Sequence, residues 1–199
     1  SYSILSSLNR IDKLTEKASE LGYFSLCITD TNNMFGVYEF YLSCKKNNIK
    51  VNAPNINISS FGFVYDDNGL YYPLLGINNV GEVVVRELLE ERKKGIFRDY
   101  DDFIARTSSF LNKKQFANLV HSGALDVFGH TRKSMFLMYE NVLQKVSYIK
   151  SLGSSIINTE FSDEEYTFEE ISNLEKEALG FNLMYSYFAR YQAIKNKYN

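Results

Sequence analysis

The pattern of apolar and polar residues predicts an α/β segment at the start of the chain. Residues 10–21 place apolar side chains at helical spacing, and residues 23–29 form an apolar run of strand length. Helical spacing returns over residues 34–46. With a short strand before them, these elements predict an incomplete βαβα unit with parallel strands over residues 1–50.

The pattern then predicts a β-hairpin followed by helices. Alternating apolar residues over 51–76 surround a turn, for which Asn68-Gly69 is the expected pair. From residue 77 onward the spacing indicates a mainly α region. Helices are expected over residues 80–94, 99–106, 112–122, 131–148 and 167–179.

A segment rich in Gly, Ser and acidic residues separates the last two predicted helices. Residues 151–166 have the composition of an exposed linker, which sets residues 77–150 apart from a C-terminal helical segment over 167–199. The sequence therefore predicts a mixed fold. Its parts are an incomplete α/β segment, a β-hairpin and a mainly α-helical region.

Composition limits the classes of function. The chain has 199 residues, 45% of them hydrophobic, with 22 basic against 24 acidic side chains and a formal net charge of −2. Nucleic-acid binding would therefore have to be local rather than a property of the whole surface. No apolar run reaches the ~18 residues of a membrane span, and no signal-peptide pattern is present, so a cytoplasmic protein without a membrane partner is predicted.

No set of side chains indicates a catalytic centre or a metal site. His121 and His130 lie across a loop from each other without a ligand-type neighbour at suitable spacing. Cys27 and Cys44 have no zinc or disulfide spacing and are expected to be reduced core thiols. The sequence thus predicts no catalytic residue and no metal ligand.

A glycine turn before a predicted helix is the main candidate for ligand binding. Asn79-Val80-Gly81 would expose the unpaired N–H groups and the positive dipole of the following helix, as helix-hairpin-helix elements do toward a DNA phosphate. A plain helix start gives the same pattern, and Glu82 would partly repel a phosphate. Both interpretations stay open at this point.

Basic residues near helix ends suggest a surface that follows a phosphate backbone. Solvent-exposed helix ends are the alternative, since cations at a helix C-terminus also favour its dipole. The groups are Arg92, Lys93 and Lys94, the pair Lys113 and Lys114, and the pair Arg132 and Lys133.

The first fifty residues resemble a known domain. In SYSILSSLNRIDKLTEKASELGYFSLCITDTNNMFGVYEFYLSCKKNNIK, a helix ending in Leu-Gly, a strand ending in Thr-Asp and a Met-Phe-Gly helix follow one another. This order resembles the amino-terminal PHP domain of bacterial DNA polymerase III alpha subunits of the DnaE type. Thr31-Asn32 stands where metal-binding members carry His-Gly, as in degenerate PHP domains of low-GC Gram-positive bacteria. The resemblance implies a PHP frame without metal or hydrolysis.

The remaining sequence resembles a distant part of the same family, the helix-hairpin-helix region. The stretches that carry it are VNAPNINISSFGF, LYYPLLGINNVGEVVVRELLEER, GIFRDYDDFIAR, LNKKQFANLVHSGALDVFG and LEKEALGFNLMYSYF. Asn79 replaces the first glycine of the family's Gly-Val-Gly hairpin, and asparagine tolerates left-handed backbone well. The resemblance implies duplex-phosphate contact at Asn79 and Gly81, supported by Arg92, Lys93, Lys94, Lys113 and Lys114.

The family's palm, thumb and most of its fingers have no counterpart between Lys50 and Val51. The aspartates that bind the polymerase's two magnesium ions are among the missing parts, so this chain is expected to hold no cofactor and to be inactive alone. A deletion, a chimera or omitted residues would each explain the junction. Phe161 lies about where the family carries its sliding-clamp peptide, although the peptide's glutamine and aliphatic residue are missing.

The implied function is part of template-directed DNA synthesis by a replicative DNA polymerase III alpha subunit. The implied partners are duplex or primer-template DNA, with the sliding clamp and other replisome subunits. Whether the chain serves an enzyme stays open, because a non-catalytic DNA-binding or replisome-interaction remnant is the alternative. A poorly folding vestige with exposed sheet edges is a third possibility.

Overall fold

The fold comes from a computed structural model that describes residues 13, 16, 17, 20, 21, 35–47, 49–152 and 159–186. The predicted helix over 10–21 lies largely outside these residues, and the predicted strand over 23–29 lies wholly outside them. The PHP-like unit therefore stays a prediction.

The described residues form a small sheet and six helices, in the mixed architecture that the sequence predicts. Each predicted helix from residue 80 onward is confirmed, with its start within two residues of the expected one. The helices are α1 Phe35–Lys46, α2 Glu82–Lys93, α3 Tyr100–Thr107, α4 Lys113–His121, α5 Arg132–Leu152 and α6 Phe168–Leu179. The strands are β1 Val51–Asn52, β2 Val64–Asp66 and β3 Gly69–Tyr71, and single 3-10 turns occupy Leu74–Gly76 and Asp126–Phe128.

Side-chain caps explain why the helix boundaries could be predicted from the sequence. Asn112 begins α4 and Thr167 begins α6, each in a capping box with the Gln or Glu three residues later. Asp99 caps α3 by accepting from a backbone N–H inside its first turn, at 2.7 Å. Gly180 ends α6 in the left-handed conformation, with φ of 84°. These signals are local, so they need no knowledge of the tertiary fold.

The sheet has the strand order β1-β3-β2. Strands β2 and β3 form the predicted hairpin, with Asp66 opposite Gly69, so the two-residue loop is Asp67-Asn68 rather than the predicted Asn68-Gly69. The Asp66 carboxylate accepts from the Asn68 N–H at 2.7 Å and fixes this turn. Strand β1 runs parallel to β3 and was not predicted, because two residues show no periodicity.

Helix α1 packs into the same core as the residues that follow it. Phe40 and Cys44 are fully buried, and the Phe40 ring meets the Phe63 ring edge-on at 4.9 Å. Helix α1 ends at Lys46, the Ile49 N–H donates back to the Cys44 carbonyl at 2.9 Å, and β1 begins two residues later at Val51. Among the described residues from 35 onward, one hydrophobic core therefore spans the domain boundary predicted at residues 50 and 51, and that boundary stays a prediction.

Residues 159–166, the described part of the predicted linker over 151–166, form hydrogen bonds with the start of α5. The Glu165 carboxylate accepts from the N–H groups of Arg132 and Lys133, at 2.8 and 3.0 Å. Thr131 donates its hydroxyl to the Glu164 carbonyl at 2.8 Å. A carboxylate at a helix N-terminus satisfies unpaired N–H groups and favours the helix dipole. This segment therefore serves as the cap of α5.

Candidate nucleic-acid interface

A tight turn leads from the 3-10 turn Leu74–Gly76 into α2. Asn79 has a φ of 64° and is the one non-glycine residue with positive φ in the described part of the chain. The expectation that asparagine keeps this turn is confirmed. Ile77 and Val80 on either side are each 2% exposed, and the Val80 N–H donates to the Ile77 carbonyl at 3.1 Å. These buried side chains and this hydrogen bond thus fix the turn at residues 77–81, which is called the hairpin and is distinct from the β2-β3 hairpin.

Gly81 begins α2 as an N-cap without a side chain. Its φ of −78° suits any residue, and an added β-carbon would meet no atom within 4 Å. No side chain caps the first turn of α2. Neither the backbone nor the packing of the described chain therefore requires glycine here. An open N-cap lets an external acceptor reach the first-turn N–H groups.

The charge of Glu82 beside this N-cap is compensated locally. Its carboxylate lies 2.5 Å from the Arg86 guanidinium, one helical turn further along α2. Both side chains are about two-thirds exposed, and exposed pairs of this kind are weak. Arg86 can therefore exchange Glu82 for another anion. The sequence contains this signal as an acid and a base four residues apart, and Arg86 was missed because its pairing was not considered.

Helix α4 brings one predicted lysine close to the hairpin. The Asn118 side-chain amide donates to the Asn78 carbonyl at 2.6 Å, so this face of α4 touches the hairpin. Lys114 precedes Asn118 by four residues and occupies the same face, about 6 Å along the helix axis. Lys114 is exposed, and within the described residues no acidic side chain pairs with it. The candidate cluster is therefore Asn79 and Gly81 in the hairpin, with Lys114 on the face of α4 that touches it.

The other predicted lysines lie apart from this cluster or are paired. Lys93 and Lys94 stand at the far end of α2, about 18 Å from Gly81 by the length of the helix. They pair with Glu90 and Glu91, at 2.6 and 2.5 Å.

Lys113 begins α4 and pairs with Glu140 at 2.8 Å. The side chains of Lys93, Lys94 and Lys113 are each at least 60% exposed. Replacing such an ion pair by a contact with phosphate would therefore cost little free energy.

Arg92 is half-buried and hydrogen-bonded to the fold, which does not favour its prediction as a DNA contact. Its guanidinium donates to the backbone carbonyls of Ile56 and Ser59, at 3.0 and 2.7 Å. Burial lowers the pKa of its guanidinium. Because the side chain fastens α2 to the loop before β2, a phosphate could recruit it only by breaking those bonds.

Arg132, one of the third pair of basic residues, is buried. It is 2% exposed and grips the Asp126 carboxylate with two hydrogen bonds, while a third reaches the His121 carbonyl at 2.7 Å. The charge partners raise the pKa of its guanidinium against an opposing effect of burial. Its neighbour Lys133 pairs with Glu164. Sequence spacing alone could not separate such a core arginine from a surface one.

Phe161 is partly buried and contacts the core, which does not favour its prediction as a clamp-binding residue. Its ring stacks on the His130 ring with centroids 3.6 Å apart and meets the Tyr100 ring edge-on at 5.2 Å. A peptide that docks in another protein needs its aromatic anchor free.

Within the described residues, His, Cys, Asp and Glu form no group of three or more suited to a metal ion. No described helix is long and apolar enough to cross a membrane.

Comparison with known proteins places this geometry in a family. A family model described as a helix-hairpin-helix motif matches residues 48–135, which include the hairpin, α2 and α4. The DNA polymerase III subunit alpha of Campylobacter jejuni is 31% identical over 148 residues, or 72% of this chain. The same subunit of Borreliella burgdorferi is 31% identical over 185 residues, or 83% of this chain, and that of Bacillus subtilis is 27% identical over 155 residues.

The chain spans only 12%, 16% and 14% of the length of these three relatives, respectively. The similarity thus concerns one region of a much longer polypeptide. The chain belongs with the alpha subunits of bacterial DNA polymerase III, over a region that contains a helix-hairpin-helix motif.

Proposed function

We propose that the hairpin and the first turn of α2 bind the sugar-phosphate backbone of duplex DNA. The open N-cap at Gly81 carries this proposal, because in the described structure neither the backbone at this position nor the space around it requires glycine. A phosphate oxygen there would accept from the first-turn N–H groups and lie at the positive end of the helix dipole. Contacts of this kind are independent of base sequence.

The cationic side chains around the hairpin add the long-range attraction. Lys114 and Arg86 would meet phosphates next to the one at Gly81, and Lys113 would extend the contact along α4. Lys93 and Lys94 would meet the duplex further along, about 18 Å from the phosphate at Gly81. Glu82 weakens the site by a modest amount that its pairing with Arg86 limits.

The wider role follows from the relatives, which are named as subunits of DNA polymerase III. We propose that this region holds the duplex in the cytoplasm while a palm elsewhere in a longer polypeptide performs template-directed synthesis with its magnesium ions. Replisome partners such as the clamp would then bind through other residues than Phe161. The intact mass of the native polypeptide tests this role: a value several-fold above 23.0 kDa supports it, and 23.0 kDa leaves DNA binding alone.

The hairpin proposal is tested by replacing Gly81 with valine in the whole 199-residue chain. Fluorescence anisotropy with a labelled duplex of mixed sequence, at several salt concentrations, gives the affinity and its salt dependence. We expect binding about tenfold weaker and a salt slope smaller by about one. The unfolding midpoint should change little, because nothing occupies the space of the new side chain. Unchanged affinity and slope would refute the proposal.

A lysine pair on α4 supplies a matched comparison. Lys114→Ala should weaken duplex binding more than Lys113→Ala, since Lys114 shares the Asn118 face while Lys113 is paired with Glu140. Both variants remove one positive charge from adjacent positions. Equal losses would show that only the net charge matters and not the position relative to the hairpin.

A further inference from the structure

We infer that Asn78 and Asn118 are positioning residues of the hairpin, through which α4 and α6 set the orientation of the phosphate-binding N–H groups. This inference rests on the proposed function. It adds that the C-terminal helix of the described chain, far from the hairpin in sequence, is part of the DNA-binding apparatus.

Three hydrogen bonds converge on Asn78. Its backbone N–H donates to the Ala178 carbonyl at 2.8 Å, and its side-chain amide donates to the Glu177 carbonyl at 2.7 Å. Its own carbonyl accepts from the Asn118 side chain at 2.6 Å. Both of its backbone polar groups are therefore tied to other helices.

The position of these bonds gives them their effect. The Asn78 carbonyl belongs to the peptide unit that leads into Asn79, the residue with left-handed backbone. The orientation of that peptide decides the path of the chain through Val80 to Gly81, and hence the direction of the first-turn N–H groups of α2. Asn118 donates directly to this peptide, so it fixes the plane at the start of the turn.

The bonds to α6 also have a physical reason on the side of that helix. The last four carbonyls of a helix lack partners inside it and need external donors. Gly180 satisfies one of them at Lys176, and Asn78 satisfies the next two, at Glu177 and Ala178. The contact between α6 and Asn78 thus gives the C-terminal carbonyls of α6 their hydrogen-bond donors. It also fixes the position of Asn78 in the hairpin. Loss of α6 would remove two of the three constraints on Asn78.

Asn118→Ala tests the positioning role, because it removes the bond to the hairpin and leaves Lys114 and the rest of α4 in place. With the same labelled duplex, we expect binding about fivefold weaker, the effect of one lost hydrogen bond. Asn78→Ala, which loses the bond to Glu177, should weaken binding in the same direction. The matched control is Asn173→Ala, at an exposed position on α6 whose side chain makes no hydrogen bond in the described structure, and this variant should bind as the parent does.

A double-mutant cycle with Gly81→Val separates positioning from general stability. If Asn118 acts through the hairpin, Asn118→Ala should cost almost nothing further once Gly81→Val has blocked the site. Full additivity of the two losses, or Asn118→Ala with parent affinity, would overturn the inference. If Gly81→Val itself binds as the parent does, the proposed function fails first, and the two failures are thereby distinguished.

Discussion

Arg132 holds Asp126 with two parallel hydrogen bonds, from Nε at 2.9 Å and from Nη2 at 2.7 Å. The Arg132 side chain is 3% exposed, while the Asp126 side chain is 46% exposed, so one partner is buried and the other faces solvent. The Tyr185 ring lies over the same guanidinium at 5.1 Å. The Arg132–Asp126 pair joins the start of α5 to the turn after α4. Through Tyr185 it also contacts the segment after α6.

Replacing Arg132 with leucine should destabilise the fold strongly. The His121 carbonyl would lose its donor and the Asp126 carboxylate its partner, which together predict a loss of about 2–4 kcal/mol in the free energy of unfolding. Urea denaturation measures it. Arg98→Ala is the control, because Arg98 is 78% exposed and its pair with Asp102 should be worth less than about 1 kcal/mol. Similar losses in both would contradict the assignment.

A β-carbon at Gly123 should disturb the same pair. Gly123 has a φ of 87°, and an added β-carbon would collide with the Arg132 guanidinium. Gly129 provides a matched control, with a φ of 76° and open space around it. Gly129→Ala should cost about 1–2 kcal/mol for the left-handed backbone alone, and Gly123→Ala about 1–3 kcal/mol more. Equal costs in thermal denaturation would show that Arg132 yields easily.

Gly81→Asp should move stability and DNA binding in opposite directions. Aspartate is a preferred N-cap and its charge favours the helix dipole, so the unfolding free energy should rise by a few tenths of a kcal/mol. Duplex affinity should fall about tenfold or more, because the carboxylate takes the N–H groups and repels phosphate. Asn173→Asp adds the same charge on the exposed face of α6 and should change affinity far less. Affinity retained in Gly81→Asp would contradict the phosphate site.

Stability should fall on acidification because of His121. Burial, with a smaller contribution from the positive Arg132 and an opposing one from Glu165, lowers the pKa of His121 to about 4. Its Nε2 has no hydrogen-bond partner in the described chain. Since the unfolded histidine titrates near pH 6.5, the unfolded state binds more protons between about pH 6.5 and pH 4. Stability is therefore full above this window and is lost as the pH falls through it.

The loss from His121 should be on the order of 3 kcal/mol across that window. His121→Leu removes the titrating group but keeps the apolar contacts with Phe136 and Tyr166. The difference in unfolding free energy between parent and variant should therefore depend on pH between about 4 and 6.5 and be constant above it. A difference that stays constant throughout would mean that His121 charges freely in the folded state.

The Cys44 thiol reports whether α1 is packed on the core. Burial raises its pKa to about 12, so the thiolate is scarce at neutral pH and reagents have no access. In a Cys27→Ser background, a disulfide reagent should label Cys44 only as fast as the protein opens. Labelling at the rate of a free thiol would mean that α1 does not belong to this core. Addition of urea is the control, because it should restore rapid labelling.

The sequence by itself determined the helices from residue 80 onward and the existence of the β2-β3 hairpin, though not the exact residues of its turn. Helix starts carry their own capping residues, such as Asn112 and Thr167, and these act within four residues of chain. Asn79 could likewise be assigned a left-handed turn, because that preference belongs to the residue itself. Features that depend only on neighbouring residues in the chain can be predicted from the sequence.

Only the tertiary structure decided which charged and aromatic side chains are available for binding. Arg92 and Lys93 are neighbours in sequence, yet one fastens a loop and the other faces solvent. Phe161 lies in a segment of linker-like composition, but its ring packs against the rings of His130 and Tyr100. Burial and pairing depend on contacts between residues far apart in the chain. The same holds for Asn78, whose partners at 118 and 177 no spacing rule could bring together.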